Sequence, residues 1–134
     1  PDEELNLLVE GGDYGWPNDT PANPRPKGSI APIATWTPHS SMNGVAHRPP
    51  NSPLPGGDTT VYATVYGSWN SPLPQGHEIV RIDLDSSSGE VIGTTSVFAE
   101  DLGTPLPIAF HPNGDLYFAV FGSNGKLYKI SPST

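Results

Sequence analysis

The sequence predicts an all-β fold built from β-propeller blades. Three observations support this: short strand patterns between turns, no helical periodicity, and an internal repeat. The segment "YATVYGS" (Tyr62–Ser68) returns 55 residues later as "YFAVFGS" (Tyr117–Ser123). Units of about 40–50 residues with four short strands are typical of propeller blades. Because a ring needs at least about four blades, residues 1–134 are predicted to form part of a propeller, completed by further sequence or by other subunits.

Strands are predicted where short apolar runs end at Gly, Pro, Asn or Asp. The first run meets the Gly11-Gly12 turn, and two later runs flank the turn at Asp83–Glu90, which predicts a hairpin. In order, the predicted strands are Leu5–Glu10, Ile33–Thr37, Val61–Tyr66, Glu78–Asp83, Val91–Phe98, Pro107–His111, Leu116–Phe121 and Lys126–Ile130. The repeat makes Tyr62–Tyr66 and Tyr117–Phe121 equivalent inner strands of adjacent blades. The proline-rich segments Pro17–Ala31 and Arg48–Asp58 are predicted loops.

Charge and composition exclude several classes of partner. Acidic residues outnumber basic ones 14 to 6, for a net charge of -8, whereas nucleic acids and anionic membrane surfaces attract basic proteins. There is no cysteine, which excludes disulfides and thiolate metal sites. No apolar run has the length of a membrane span. We therefore expect no nucleic-acid partner and no membrane insertion. The opening "PDEELNLL" runs directly into strand-like sequence, which suggests a cut inside a larger protein.

Two patterns that could suggest metal sites are better explained structurally. The four histidines lack zinc-site spacing, and His47 and His111 hold equivalent repeat positions beside a turn proline. The run "DLDSSSGE" from Asp83 starts like a calcium loop. However, Ser88 stands where an EF-hand has its glycine, and Thr94 stands where the closing glutamate belongs. A hairpin turn is the better prediction.

Four stretches carry a resemblance to a known family. "DEELNLLVEGGDYGWPN" resembles a segment of the soluble quinoprotein glucose/sorbosone dehydrogenases. Three further stretches match in order: "WTPHSSMNGVAH", "YGSWNSPLPQGHEIVRIDLD" and "LPIAFHPNGDLYF". That family consists of six-bladed propellers that hold pyrroloquinoline quinone (PQQ) and calcium over the central channel. The resemblance implies about half of a six-bladed propeller, its C-terminal blades, with PQQ and calcium as cofactors, a sugar substrate and an extracytoplasmic location.

The resemblance and the repeat together indicate a rim at the channel mouth. Gly67 ends an inner strand, so Ser68, Trp69 and Asn70 are expected in a loop where the indole can stack on a quinone or a sugar ring. The loop "TPHSSMNG" is implied to face the central cavity, which makes its residues His39 and Ser40 further candidates for cofactor binding. The structural alternatives are that Trp69 caps its blade and that His39 is an ordinary loop histidine.

A second candidate site lies at the corner "GGDYGWP". Gly11 and Gly12 permit a tight turn, and Tyr14 and Trp16 are expected to cover the gap between neighbouring blades. Trp16 is therefore predicted to be buried, and Trp69 partly exposed. From the resemblance, Glu4 and the Tyr14 carbonyl are the residues that carry over as ligands of a structural calcium.

Departures from the family leave two functions open. Ser71 and Thr104 stand where many relatives have arginines, and the family's catalytic histidine lies upstream of the matched region. No catalytic residue is therefore assigned here, and the chain alone is expected to bind PQQ weakly or not at all. The first function is part of a PQQ-dependent dehydrogenase that oxidises sugar hydroxyl or aldehyde groups. The second is a non-catalytic propeller module that binds glycans or assembles with further copies of itself.

Overall fold

A computed structural model describes residues 2–18, 20, 22–69 and 71–133. Within these residues the chain forms nine strands and no helix, and hence no helix able to cross a membrane. The strands are β1 Glu3–Leu5, β2 Ala34–Trp36, β3 Met42–His47, β4 Thr60–Val65, β5 Glu78–Asp85, β6 Ile92–Ala99, β7 Pro105–Phe110, β8 Leu116–Val120 and β9 Leu127–Ile130.

The strands form three antiparallel sheets that follow the order of the chain. The first sheet is β1-β2, the second is β3-β4-β5-β6, and the third is β7-β8-β9. Each strand pairs with the next one in its sheet, as in a propeller blade. The predicted hairpin at Asp83–Glu90 joins β5 to β6. The chain is thus all-β, with the architecture of a partial β-propeller, as the sequence predicts.

Two apolar layers hold the sheets together, and β4 contributes side chains to each of them. Because side chains alternate along a strand, Val61, Ala63 and Val65 join Ala34 in one layer, while Tyr62 joins Leu116 in the other. Tyr62 is fully buried, with its ring edge-to-face against Phe98 and Phe110 at centroid distances of 4.9 and 5.6 Å. Its hydroxyl donates a 2.6 Å hydrogen bond to the Pro55 carbonyl, and burial raises its pKa.

One strand prediction needs correction, and one strand was missed. The segment Leu5–Glu10 contributes only Leu5 to β1, because further on the Leu7 carbonyl and the Val9 amide bond to the Tyr14 hydroxyl instead of to a neighbouring strand. β3 was not predicted at all, since its sequence, "MNGVAH", does not alternate apolar with polar residues.

The missed strand also changes the assignment of the inner strands. The two repeat copies lie in β4 and β8, which are equivalent second strands of separate sheets. The first strands, β3 and β7, instead pack against each other where the two blades meet. Gly44 on β3 makes this possible, because a Cβ there would lie 2.4 Å from the Leu106 carbonyl oxygen on β7.

Candidate functional site

Four loops gather at one end of the second and third sheets. β3, β5 and β7 begin there, while β4, β6 and β8 end there. All non-glycine residues with positive φ in the described part of the chain lie in these loops: His39 (59°), Ser41 (61°), His77 (67°) and Asp101 (56°). A non-glycine residue with a positive φ costs about 1–3 kcal/mol in backbone strain, and such residues are concentrated at binding and catalytic sites. This end of the blades is therefore the candidate functional site.

A groove of about 360 Å³ opens between the two blades at this end. Its lining residues are Ser41, Asn43, Tyr66, Trp69, Leu106 and Phe121. The Trp69 side chain is 80% exposed and that of Phe121 is 64% exposed. The Tyr66 and Phe121 rings lie 6.2 Å apart between centroids, at an interplanar angle of 54°. The groove thus presents three aromatic rings with hydroxyl and amide groups beside them.

Main-chain hydrogen bonds fix the Trp69 side of the groove. The Tyr66 amide donates to the Ser41 carbonyl at 2.8 Å, and the Gly67 amide donates to the Ser40 carbonyl at 2.8 Å. The Ser68 amide donates to the Gln75 carbonyl at 2.9 Å, and the Ser68 hydroxyl accepts from the Gln75 amide at 3.0 Å. The loop that carries Trp69 (residues 66–77, the tryptophan loop) is therefore closed by hydrogen bonds within itself and anchored to the segment that precedes β3.

His77 connects this loop to the Phe121 side. Its ring packs directly on Gly67, where a Cβ would lie 2.2 Å from a ring carbon. The His77 Nδ1 donates to the Gly103 carbonyl at 2.6 Å. The hydroxyl of the next residue, Thr104, donates to the Phe121 carbonyl at 2.6 Å. The Thr104 carbonyl accepts from the Phe121 amide at 2.9 Å. A continuous series of contacts therefore links the backbone beneath the tryptophan loop to that beneath Phe121.

The predicted rim residues have different positions in this arrangement. Trp69 lines the groove and is exposed, as expected. Ser68 is half-buried, whereas Ser40 is fully buried, with its hydroxyl donating to the Thr37 carbonyl at 2.6 Å. His39 is exposed but is not among the residues lining the groove, and it leads into β3 of the blade that carries Trp69. Asn70 lies outside the described residues.

Apart from Trp69, sequence reasoning missed the residues that line the groove, and it missed His77 beneath them. Tyr66 and Phe121 could have been found together, because the repeat makes them counterparts and both lie just after equivalent strands. The sequence carries no comparable signal for His77, whose contact with Gly67 depends on how the loop folds back.

The described residues of the groove do not fit the carboxylates of PQQ. None of those lining it carries a positive charge. Thr104 uses its hydroxyl on the Phe121 carbonyl, and the Ser71 hydroxyl accepts from the Leu73 amide at 3.3 Å. A quinone with three carboxylates requires cations, whereas aromatic rings and neutral polar groups suit an uncharged ring.

The corner at Trp16 also differs from expectation. Trp16 is 92% exposed, so the prediction of a buried wedge is wrong for this chain. Gly15, with φ of 89°, leaves room for the Arg25 side chain rather than for a ring, and the indole remains outside the apolar layers. The Tyr14 hydroxyl accepts from the Val9 amide and donates to the Leu7 carbonyl, at 2.6 and 2.8 Å. The Glu4 carboxylate and the Tyr14 carbonyl both contact the Arg25 guanidinium.

Comparison with known proteins gives likeness at the level of structure. No protein-family model matches the chain, and no curated protein does. Two structures from Trichoderma reesei, described as Carbohydrate-Active Enzymes Family AA12, match over 98% of this chain. The calcium structure has a TM-score of 0.69 and 20% identity, and the iodide structure has 0.70 and 18%. The holo form of the pyranose dehydrogenase PQQ domain from Coprinopsis cinerea matches over 83%, with a TM-score of 0.54 and 22% identity.

This chain spans less than half the length of each of these structures: 43% and 44% of the two Trichoderma reesei chains and 30% of the Coprinopsis cinerea chain. At such identities the likeness establishes the fold. The chain is a partial β-propeller that shares its fold with a carbohydrate-active enzyme and with a PQQ domain of a pyranose dehydrogenase.

Proposed function

We propose that this chain is the sugar-binding part of a β-propeller related to PQQ-dependent sugar dehydrogenases, and that its groove holds a pyranose ring. The observation that carries the proposal is the exposed Trp69 indole in one groove with Tyr66 and Phe121. The structural neighbours include a pyranose dehydrogenase domain, which supports a sugar as the ligand class. An extracytoplasmic location and a position among the C-terminal blades belong to the same proposal.

The groove combines the two kinds of contact that a sugar ring uses. The C–H face of a pyranose is apolar and flat enough to stack on an indole, and aromatic contacts contribute about 0.5–1.5 kcal/mol beyond area burial. The Ser41 hydroxyl and the Asn43 side-chain carbonyl can exchange hydrogen bonds with ring hydroxyls. The Asn43 amide nitrogen donates to the Ser41 carbonyl at 2.7 Å, which fixes the orientation of that side chain.

The proposal assigns sugar binding to this chain and no step of a reaction. Oxidation of a sugar hydroxyl or aldehyde by PQQ would require the quinone to be held by residues other than those of the groove. The second candidate function is a non-catalytic propeller module that binds glycans or assembles with itself. The uncharged groove favours this candidate, because it can hold a sugar without a cofactor.

Calorimetric titration with a panel of aldohexoses and their disaccharides tests the proposal. Trp69→Ala is expected to weaken binding at least about two- to tenfold, the factor that corresponds to about 0.5–1.5 kcal/mol, because the area buried against the indole is lost as well. Trp16→Ala is the matched control, because Trp16 is at least as exposed but lies outside the groove. If the two variants bind the sugar equally well, the Trp69 indole is not the surface on which the sugar ring stacks.

A second titration tests whether this chain itself holds the cofactor. PQQ with calcium is added to the chain in place of the sugar, and the quinone absorbance is followed. We expect sugar binding without tight PQQ binding. Sub-micromolar PQQ binding with a shifted absorbance would instead assign the cofactor to this chain and would contradict the charge argument.

A further inference from the structure

The corner between β1 and the proline-rich loop is organised around one guanidinium. Arg25 Nη2 forms an ion pair with Glu4 Oε1, and Arg25 Nη1 donates to the Tyr14 carbonyl at 2.5 Å and to the Ile30 carbonyl at 3.0 Å. The Arg25 and Glu4 side chains are only 18% and 22% exposed. Three chain segments that are distant in sequence therefore meet at this group.

Two of the groups that Arg25 contacts, the Glu4 carboxylate and the Tyr14 carbonyl, are those that the family resemblance assigns to calcium. Calcium takes six to eight oxygen ligands at about 2.3–2.6 Å. Here the Glu4 carboxylate and the two carbonyls converge on Arg25, whose planar, permanently charged fork suits several acceptors at once. A calcium ion among these oxygens would be repelled by the guanidinium. No cluster of three or more His, Asp or Glu able to hold a metal occurs in the described ranges. The corner as it stands does not fit calcium.

The main chain is shaped for the arginine. Gly15 is buried, and a Cβ at this position would lie 2.8 Å from Arg25 Cγ. The Asp13 carboxylate accepts the Gly15 amide at 2.8 Å, and the Asp13 carbonyl accepts the Ile30 amide at 2.7 Å. The side-chain amide of Asn6 donates to the second Glu4 oxygen at 3.1 Å. These contacts hold the acceptors in place around the guanidinium.

We propose that Arg25 is the built-in cation of this corner and takes the position of a structural calcium. The corner of the native chain is then independent of calcium. Removing the guanidinium while keeping its acceptors creates a site that divalent cations can enter. This inference is independent of sugar binding, because it concerns a different part of the surface.

Unfolding and lanthanide luminescence test the inference. The native urea midpoint is expected to be the same in excess EDTA and in millimolar calcium. Arg25→Ala is expected to lower the midpoint in EDTA and to regain part of it as calcium is added. Half of the recovery is expected at or above about 10⁻³ M, because the corner offers one carboxylate and two carbonyls. Terbium should become luminescent in Arg25→Ala, because Tyr14 and Trp16 lie beside the vacated position.

Two further variants make the result specific. Arg81→Ala is the matched control, since Arg81 pairs with Asp83 at 2.7 Å on β5, away from this corner, and its loss should give no response to calcium. Glu4→Gln in the Arg25→Ala background should abolish both the recovery and the luminescence. If Arg25→Ala does not fold, Arg25→Gln replaces it in both measurements, since the amide removes the charge and fills part of the space, and the same calcium and terbium responses are expected.

Two results would overturn the inference. One is a native chain that calcium stabilises through Glu4, shown by loss of that stabilisation in Glu4→Gln. The other is an Arg25→Ala variant that folds as stably as Arg81→Ala and gains no response to calcium or terbium.

Discussion

Gly67 and Gly122 offer a controlled test of how the groove is supported. They are equivalent positions of the repeat, following Tyr66 and Phe121, and both have positive φ, of 112° and 145°. Their surroundings differ. A Cβ on Gly67 would lie 2.2 to 2.7 Å from three atoms of the His77 ring, whereas a Cβ on Gly122 would meet nothing within 4 Å.

The difference in surroundings sets the expected magnitudes. Either change to alanine places a side chain in an unfavourable backbone region, at a cost of about 1–3 kcal/mol. Gly67→Ala must also displace His77, and overpacking of this kind costs about 1–3 kcal/mol more. In urea unfolding, Gly67→Ala is therefore expected to be less stable than Gly122→Ala by about 1–3 kcal/mol.

A double-mutant cycle identifies the cause. In a His77→Ala background the ring is absent, so Gly67→Ala should cost about as much as Gly122→Ala does, with a coupling of about 1–3 kcal/mol. His77 does not line the groove, but it bonds to the Gly103 carbonyl, next to the Thr104 that holds Phe121. His77→Ala should therefore weaken sugar binding indirectly, by loosening both sides of the groove. Equal costs for the two glycine variants, or additive costs in the cycle, would show that His77 does not support the tryptophan loop.

Three other predictions follow from burial, packing and charge. Stability should fall as pH rises above about 10, because burial raises the folded pKa of Tyr62 above the unfolded value and the protonated form is lost; denaturation from pH 8 to 11 should show a smaller fall for Tyr62→Phe. Gly44→Ala should cost about 1–3 kcal/mol, because its Cβ would strike the Leu106 carbonyl, whereas Gly57→Ala, with open space, should change little. A uronic acid should bind more weakly than the matching neutral sugar, and calorimetry should show that the difference between their binding affinities decreases as salt is added.

The sequence was sufficient to predict most of the fold because the blades repeat. The copies in β4 and β8 marked equivalent strands in separate sheets, and the apolar runs between turns located the others. β3 escaped prediction because a strand pressed against another blade carries Gly44 at an inward position, while the apolar Val45 lies on the exposed face. Contacts between sheets, not the local pattern, specify that strand.

The candidate site was predictable only in part, for a related reason. Trp69 follows Gly67, which lies just after β4, so its exposure could be inferred from the local sequence. Trp16 was expected to be buried, by a general argument about aromatic residues, but Arg25 fills the space beside Gly15. The position of Arg25 depends on a loop that returns to β1, and no local pattern in the sequence indicates that return.

The distribution of positive charge explains why the groove should prefer an uncharged ligand. Arg25 is committed to Glu4 and to two carbonyls, and the buried Arg48 donates to the Leu54 carbonyl at 2.9 Å. Arg81 pairs with Asp83, and Lys129 lies 3.7 Å from Asp115. Four of the six basic residues thus serve the fold, and the remaining two are not among the described residues lining the groove. With a net charge of -8, the chain repels an anion, and none of the described residues lining the groove is a cation that would attract it, since Lys126 lines the neighbouring pocket on the Phe121 side. Stacking on the aromatic rings carries no such penalty. The uronic acid comparison isolates this difference, because the two sugars share a ring and differ mainly in charge.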